Sequence, residues 1–177
     1  DFHVPRSLKK RIRKNPFEMR YDHDFESVIH ACAKSTLDRR ETWINKEIIG
    51  LYTQLFYMGY VHSVECWSGE KLVGGLYGLS MKGVFFGESM FSRERDASKI
   101  ALVHLVARLN FGRFVLLDTQ FVTGHLEQFG ALEISREKYH ELLEEALSID
   151  ARFYRKVPVD DEDEALRRLL QSRTHTS

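Results

Sequence analysis

The sequence predicts an α/β (α+β) fold with a mostly antiparallel central sheet flanked by helices. Three observations carry this expectation. Short apolar runs at His62–Trp67, Lys71–Leu79 and Val84–Glu88 are separated by Ser68-Gly69-Glu70 and Met81-Lys82-Gly83, which read as hairpin turns. The following segment, Ala97–Leu109, is apolar on most helical faces, so a helix there must be buried against the sheet. A further strand, Arg113–Asp118, then ends abruptly in the polar group Asp118-Thr119-Gln120.

Along the chain, Pro5–Lys14 reads as a short basic helix behind an extended lead, with Pro5 suited to a first-turn position. Asp24–Ala33 sets Phe25, Val28, Ile29 and Cys32 at helical spacing, with Asp22 or Asp24 as the cap. Lys46–Met58 repeats the pattern with Ile48, Ile49, Tyr52, Leu55 and Phe56, and Gly59 stops it. After the three strands, the buried helix Ala97–Leu109 is capped by Asp96 and ends near Gly112. The strand Arg113–Asp118 follows, then a short helix around Gly124–Phe129, a strand at Leu132–Ile134 and a helix over Arg136–Leu147. From Ser148 the character changes to a polar stretch and an acidic run, Asp160–Glu164, before a short amphipathic helix at Ala165–Leu170. No internal repeat is present. Helices, an antiparallel meander, then a helix and a strand match the acetyltransferase-like (GNAT) architecture. The expected organisation is a basic N-terminal segment (1–20), a GNAT-like domain (21–150) and a polar tail with a short helix (151–177).

A chain of 177 residues is long enough for one well-buried core. Its 43% hydrophobic and 29% charged residues fit a soluble globular protein. No apolar run approaches the roughly 18–20 residues that span a bilayer, and no signal-peptide pattern opens the chain. Two cysteines, Cys32 and Cys66, are too few for a disulfide framework and fit a reducing cytoplasm as buried free thiols. The formal net charge is zero, yet Arg6, Lys9, Lys10, Arg11, Arg13, Lys14 and Arg20 crowd one end while the acidic run lies near the other. The basic cluster is a candidate phosphate-binding patch; a solvated segment is the plain alternative.

Polar groups placed just past hydrophobic strands are where α/β sheets carry ligand chemistry. Gly74 and Gly75 mark a place where something approaches the backbone closely. Around them the chain reads V-G-G-L-Y-G-L, F-F-G-E-S-M-F-S-R, D-A-S-K-I-A-L and L-L-D-T-Q. Further blocks are F-H-V-P-R-S-L-K-K, Tyr21-Asp22 with V-I-H-A-C-A, Thr42-Trp43-Ile44, H-S-V-E-C-W, H-L-E-Q-F-G-A and I-S-R-E-K-Y. In this order, over roughly Phe2 to Tyr139, they resemble the leucyl/phenylalanyl-tRNA–protein transferases. Those enzymes move Leu or Phe from charged tRNA onto the N-terminal Arg or Lys of a protein. The GNAT fold is also the fold this resemblance implies.

The implied reaction is aminolysis of an activated ester by an α-amine, whose unperturbed pKa of roughly 7.7–8.0 leaves a useful neutral fraction at pH 7. Such a site needs mainly positioning; no cofactor is expected, aminoacyl-tRNA being a co-substrate. The resemblance assigns Asp118 and Gln120 to catalysis. Gln120 has no useful acid–base pKa, but its amide oxygen can accept a hydrogen bond from the incoming amine. Period-two alternation puts Asp118 on the same strand face, where its carboxylate could polarise that amide or attract a cationic terminus; capping of the next helix is the plain alternative. Glu88, at the end of another strand, would add a second carboxylate for Arg or Lys, or else stand in solvent. Matching the family's amino-acid pocket are Leu76, Phe85, Leu102 and Leu105, with Met90 and Phe91 nearby, although plain core packing suits any one of them. Trp43 matches a tryptophan near the terminal adenosine. Arg6, Lys9, Lys10, Arg11, Lys14 and Arg93 are the candidate tRNA contacts, Arg93 being equally able to pair with Glu94 or Asp96.

The implied partners are aminoacyl-tRNA carrying Leu or Phe and proteins with N-terminal Arg or Lys, met by a cytoplasmic monomer without a membrane, and the implied outcome is marking for degradation. Two alternatives stand beside this. An acyl-CoA-dependent N-acetyltransferase of the same fold would place a glycine-containing pyrophosphate loop before the buried helix, but Ser89–Ser98 holds no glycine. A non-catalytic tRNA- or peptide-binding relative is disfavoured by the joint presence of Asp118, Gln120 and Glu88. The histidines lack paired spacing with cysteine or carboxylate, so no metal site is expected. Family members usually carry a further domain ahead of F-H-V-P-R-S-L; its loss is expected to weaken tRNA binding more than the chemistry.

Overall fold

The computed structural model describes residues 2–34, 43–120 and 123–171. The elements run α1 (Arg6–Ile12), β1 (Glu18–Tyr21), α2 (Phe25–Ala33), α3 (Lys46–Tyr57), β2 (Val61–Ser68), β3 (Lys71–Met81), β4 (Val84–Ser92), α4 (Ala97–Phe111), β5 (Leu116–Asp118), α5 (Gly124–Glu127), α6 (Arg136–Ser148) and α7 (Val159–Gln171). The strands form one mixed sheet in sequence order, β1-β2-β3-β4-β5. β1 to β4 pair antiparallel, and β5 runs parallel to β4 with Leu116 opposite Val84 and Asp118 opposite Phe86. The two expected hairpin turns form, with Gly69 and Lys82 both in the left-handed region.

Each face of the sheet is covered. On one side α4 lies across β2, β3 and β4, burying Ile100, Val103 and Leu105 against Val64, Val73, Leu76 and Phe85. Val4, Leu8, Ile12 and Phe17 from the first segment and Leu169 and Leu170 of α7 join this cluster. On the other side α2 and α3 pack Phe25, Val28, Ile29 and Ile48 against Val61, Trp67 and Tyr77. The close approach at the paired glycines is made by the fold itself. A Cβ on Gly74 would stand 2.4 Å from the Cβ of Ala97, and one on Gly75 would stand 2.8 Å from the Val64 carbonyl oxygen. The missing side chain at Gly74 lets the first turn of α4 close on β3.

Several elements differ from the sequence expectation. β1, Glu-Met-Arg-Tyr, alternates over four residues only, too short a run to stand out, and pairs with β2, Glu18 opposite Trp67 and Tyr21 opposite Val64. The strand expected over Arg113–Asp118 begins only at Leu116, because Arg113 is left-handed (φ 67) and the Phe114 N–H returns to Leu109. Leu132–Ile134 is not a strand. It pairs with no other strand, and Leu132 (77% exposed) and Ile134 (44% exposed) face outward. The tail helix is longer than expected and takes in the acidic run, since Asp160, Asp161 and Glu162 in its first turn complement the helix dipole. Asp24 caps α2 by accepting from the Ser27 N–H at 3.1 Å. Asp22 instead receives the Ser63 N–H, the His62 ring and the Arg155 guanidinium. Asp96 precedes α4 in the left-handed region without capping it, its carboxylate lying among Arg11, Arg95 and Lys99. Among the described residues no helix is long and apolar enough to cross a membrane.

α7 is held by more than apolar contact. Arg108 of α4, almost fully buried, pairs with Glu162 at 2.8 Å, donates to the Tyr154 carbonyl at 2.7 Å and lies 3.4 Å over the Tyr21 ring. The Tyr21 hydroxyl donates to Glu162 and sits 3.3 Å from the His104 ring.

Candidate active site

β4 and β5 run side by side only as far as Phe86 and Asp118; beyond that pair, β4 continues alone to Ser92. The separation opens a cleft of about 450 Å³ between β4, the start of α4 and the segment after β5. Glu88 is aimed by an irregularity in this strand. In the β3–β4 ladder Gly78 faces Gly87 and Tyr77 faces Ser89, so Glu88 is an extra residue with no partner across the ladder. A bulge of this kind re-aims a side chain and is favoured beside functional sites.

The Gln120 side-chain amide donates to Glu88 Oε2 at 3.1 Å. Its backbone, left-handed at φ 61, turns back so that its N–H donates to Asp118 Oδ1 at 2.7 Å. Asp118 Oδ2 in turn accepts from the Tyr139 hydroxyl of α6 at 2.7 Å. Burial, reinforced by that bond to Asp118, pushes the Tyr139 hydroxyl up to about 12, so it stays a donor at neutral pH. Tyr52 of α3 is half-buried near Glu88; burial, and then that negative charge, hold its hydroxyl above the usual tyrosine value. Glu88, Gln120, Asp118 and Tyr139 therefore form one chain of hydrogen bonds that meets the cleft at Glu88. With the amide N–H₂ committed to Glu88, the Gln120 amide oxygen is presented as an acceptor.

The cleft behind this chain is lined by Leu76, Met90, Phe91, Leu102, Leu105 and Leu117, with Tyr77, Ser89, Thr119 and His125 among its polar members. Leu76, Leu102 and Leu105 form a buried floor, whereas Met90 and Phe91 are half-exposed. Burial, and secondarily Lys99, lowers the His125 pKa, which favours a neutral ring at pH 7. Among the described residues no group of three or more His, Cys, Asp or Glu side chains could hold a metal ion.

The family profile of the leucyl/phenylalanyl-tRNA protein transferases matches residues 1–144. Three proteins named leucyl/phenylalanyl-tRNA–protein transferase are similar over most of the chain. That of Phenylobacterium zucineum is 61% identical over 153 residues, spanning 86% of this chain and 69% of the relative. That of Maricaulis maris is 59% identical over 152 residues, 86% and 70% of the two chains. That of Paramagnetospirillum magneticum is 58% identical over 158 residues, 89% and 76%. The chain belongs to the leucyl/phenylalanyl-tRNA protein transferase family.

In this transferase-family chain, Glu88, Leu76, Met90, Phe91, Leu102 and Leu105 line this cleft, while Asp118 and Gln120 line an adjoining one and reach the first through the Gln120–Glu88 bond. The link between Asp118 and Gln120 differs from that expected of a strand face. β5 ends at Asp118, Gln120 lies in a turn beyond it, and the group facing the amide is Glu88. Nor does Asp118 cap α5, whose N-cap position is Thr123. Phe85 does not line the cleft: fully buried, its ring packs against Phe114 and Phe153 at 6.3 and 6.1 Å on the core side of β4. Trp43 is half-exposed outside the cleft, its ring 6.5 Å edge-on from that of Tyr52; Thr42 of the same block lies outside the described residues. Arg93 pairs with neither Glu94 nor Asp96. It donates to the Leu72 carbonyl at 2.9 Å and covers the Phe91 ring. Arg6, Lys10 and Lys14 are exposed on and just after α1 and Lys9 is half-exposed, but Arg11 is engaged by Asp96 at 3.6 Å and by the Arg95 carbonyl. Tyr52, Tyr139 and His125 were missed. Tyr139 closes the I-S-R-E-K-Y block, yet its contact spans 21 positions and leaves no trace in local periodicity.

Proposed function

We propose that this chain transfers leucine or phenylalanine from the 3′ end of a charged tRNA to the α-amine of proteins beginning with Arg or Lys, marking them for degradation in the cytoplasm. The observation that supports it is the Glu88–Gln120–Asp118–Tyr139 hydrogen-bonded chain beside an apolar cleft. The aminoacyl side chain enters the cleft over Leu76, Leu102 and Leu105. The acceptor's nitrogen attacks the ester carbonyl carbon, a C–N bond forms and the ribose C–O bond breaks. The ribose oxygen leaves with a proton, and the amine gives up the proton it no longer needs. Gln120 accepts from the amine and holds its lone pair on the carbonyl, while Glu88 fixes the amide in that orientation. Glu88 and Asp118 together attract the acceptor's guanidinium or ammonium. The ester is already activated, so the chemistry calls for alignment and no cofactor. Trp43, beside Tyr52, takes the terminal adenosine, and Arg6, Lys9, Lys10 and Lys14 take tRNA phosphates.

The finer fold assignment, acetyltransferase-like, is supported by the parallel β4–β5 pair that separates beside α4 in an otherwise antiparallel sheet. Use of acyl-CoA has no observation in its favour. The start of α4 carries the Asp96 carboxylate, and its Ser98 N–H already donates to the Ser92 hydroxyl at 3.3 Å, which leaves a poor seat for pyrophosphate. The deciding experiment is transfer of labelled leucine from charged tRNA to a peptide beginning with Arg, against the same peptide beginning with Gly. Label on the Arg peptide alone is expected; label on neither would refute the proposal.

A further inference from the structure

A second, larger cleft of about 990 Å³ adjoins the amino-acid cleft and is lined by Asp118 and Gln120, which the first is not. Every residue from Phe114 to Gln120 lines it. Consecutive side chains of a strand point to opposite faces, so a groove that touches all of them must follow the strand's edge rather than one face. That edge is the outer one of β5, the last strand of the sheet, with no further strand paired to it among the described residues. The opposite wall is Leu126–Ile134, the segment that does not form a strand, together with Arg136, Tyr139 and Leu142 of α6. The two clefts share Leu102, Leu117, Thr119 and Leu126, so they are continuous past Asp118 and Gln120.

We infer that this groove seats the acceptor polypeptide beyond its first residue, in extended form along β5, with apolar side chains favoured at the positions that follow the N-terminal Arg or Lys. The inference rests on the transfer reaction proposed above. It is carried by the groove's position and chemistry. The attacking amine must lie at Gln120, and a chain leaving that point away from the aminoacyl cleft enters this groove directly. An unpaired strand edge offers main-chain donors and acceptors to an added strand, while the alternating side chains of that strand read the walls. The walls are apolar, Val115, Leu116, Leu117, Leu132 and Ile134 among them. Among the described residues their charged members are Asp118, Glu133 and Arg136, without the cationic surplus that a tRNA backbone requires.

The test uses three acceptors with the wild-type chain and with Leu132→Glu and Val115→Glu, two side chains exposed enough (77% and 56%) that neither change disturbs the core. The acceptors are argininamide, a ten-residue peptide beginning Arg followed by three apolar residues, and that peptide N-methylated on the backbone at its second and third residues. With wild type, the apolar peptide should show a KM about tenfold below that of argininamide, roughly what seating one apolar side chain contributes, and N-methylation should remove much of that gain. Each Glu variant should raise the peptide KM about tenfold and leave the KM values of argininamide and charged tRNA unchanged. Equal KM values for argininamide and peptide, or a peptide KM unmoved by both variants, would overturn the inference while leaving the transfer reaction standing. A matching rise in the KM for charged tRNA would assign the groove to nucleic acid. A wild-type dimer broken by Leu132→Glu with an unchanged peptide KM would assign it to a second copy. Absence of label on every acceptor, argininamide included, would overturn both proposals.

Discussion

Replacing the Gln120 amide by a carboxylate probes the polar chain at its weakest joint. Gln120→Glu keeps the length of the side chain and an acceptor oxygen, but it removes the donor that holds Glu88 at 3.1 Å and puts a second negative charge there. A hydrogen bond to a charged group contributes about 1.5–3 kcal/mol. Two like charges at that separation repel by roughly 1 kcal/mol in water and about 5 kcal/mol in a partly desolvated cleft. Even at the lower end the sum is about 2.5 kcal/mol, so the new carboxylate should swing out of place and single-turnover transfer should slow about 100-fold. Gln120 is exposed and Glu88 only half-buried, so the melting temperature should move little. Restoring a donor opposite, with Glu88→Gln added to Gln120→Glu, should recover part of the rate. The double-mutant cycle should then show a coupling of about 1–3 kcal/mol. The assay is single-turnover transfer from charged tRNA to an Arg peptide, run beside thermal melts of all four proteins. A Gln120→Glu rate within threefold of wild type, or strictly additive single effects, would refute the orienting role assigned to this contact.

Tyr139→Phe should lower the transfer rate about tenfold by freeing one oxygen of Asp118, with melting changed by only a few degrees. Phe85→Ala should cost about 3–5 kcal/mol in a denaturant titration and leave the Leu-to-Phe preference untouched, since the ring belongs to the core. Neutralising Lys10 and Lys14 should each flatten the log–log salt dependence of tRNA binding by roughly 0.7–0.9, whereas Arg11→Ala should act mainly on stability through the loss of Asp96. His104 is held neutral, its pKa brought down to about 4 chiefly by burial. Its folded pKa lies below the unfolded value of 6.5, so the associated stability is complete above 6.5 and is lost as pH falls toward 4, up to about 3 kcal/mol. The difference between wild type and His104→Gln in melts from pH 7 to 4 should follow that window.

What the sequence disclosed divides along physical lines. α2, α3, the β2–β4 meander and the buried helix α4 were legible because each repeats an apolar residue at its own period, and the covering of both sheet faces follows from those periods. β1 was hidden because its alternation is too short a run to stand out, and Leu132–Ile134 misled because alternating Leu and Ile read alike in an edge strand and in the wall of a groove. For the site, short motifs brought Glu88, Asp118 and Gln120 to attention, but their mutual geometry depends on a bulge and a left-handed turn that no periodicity encodes. Phe85 shows the converse. In a run such as Val-Phe-Phe-Gly-Glu-Ser, alternation states that successive residues face apart but not which face meets the cleft.

The bulge at Glu88 makes that residue separable from the architecture that carries it. Take Glu88 out of the chain, and every remaining pair of the β3–β4 ladder keeps its partner, with Gly87 opposite Gly78 and Ser89 opposite Tyr77 now adjoining without a gap. The shortened strand would be the more regular one, free of an insertion that kinks it. Deletion of this single codon, normally among the harshest changes a strand can suffer, is here the gentlest on the sheet and the most severe on the site. The acid is thus a guest in the ladder, retained against the tendency of a strand to close up its own irregularities.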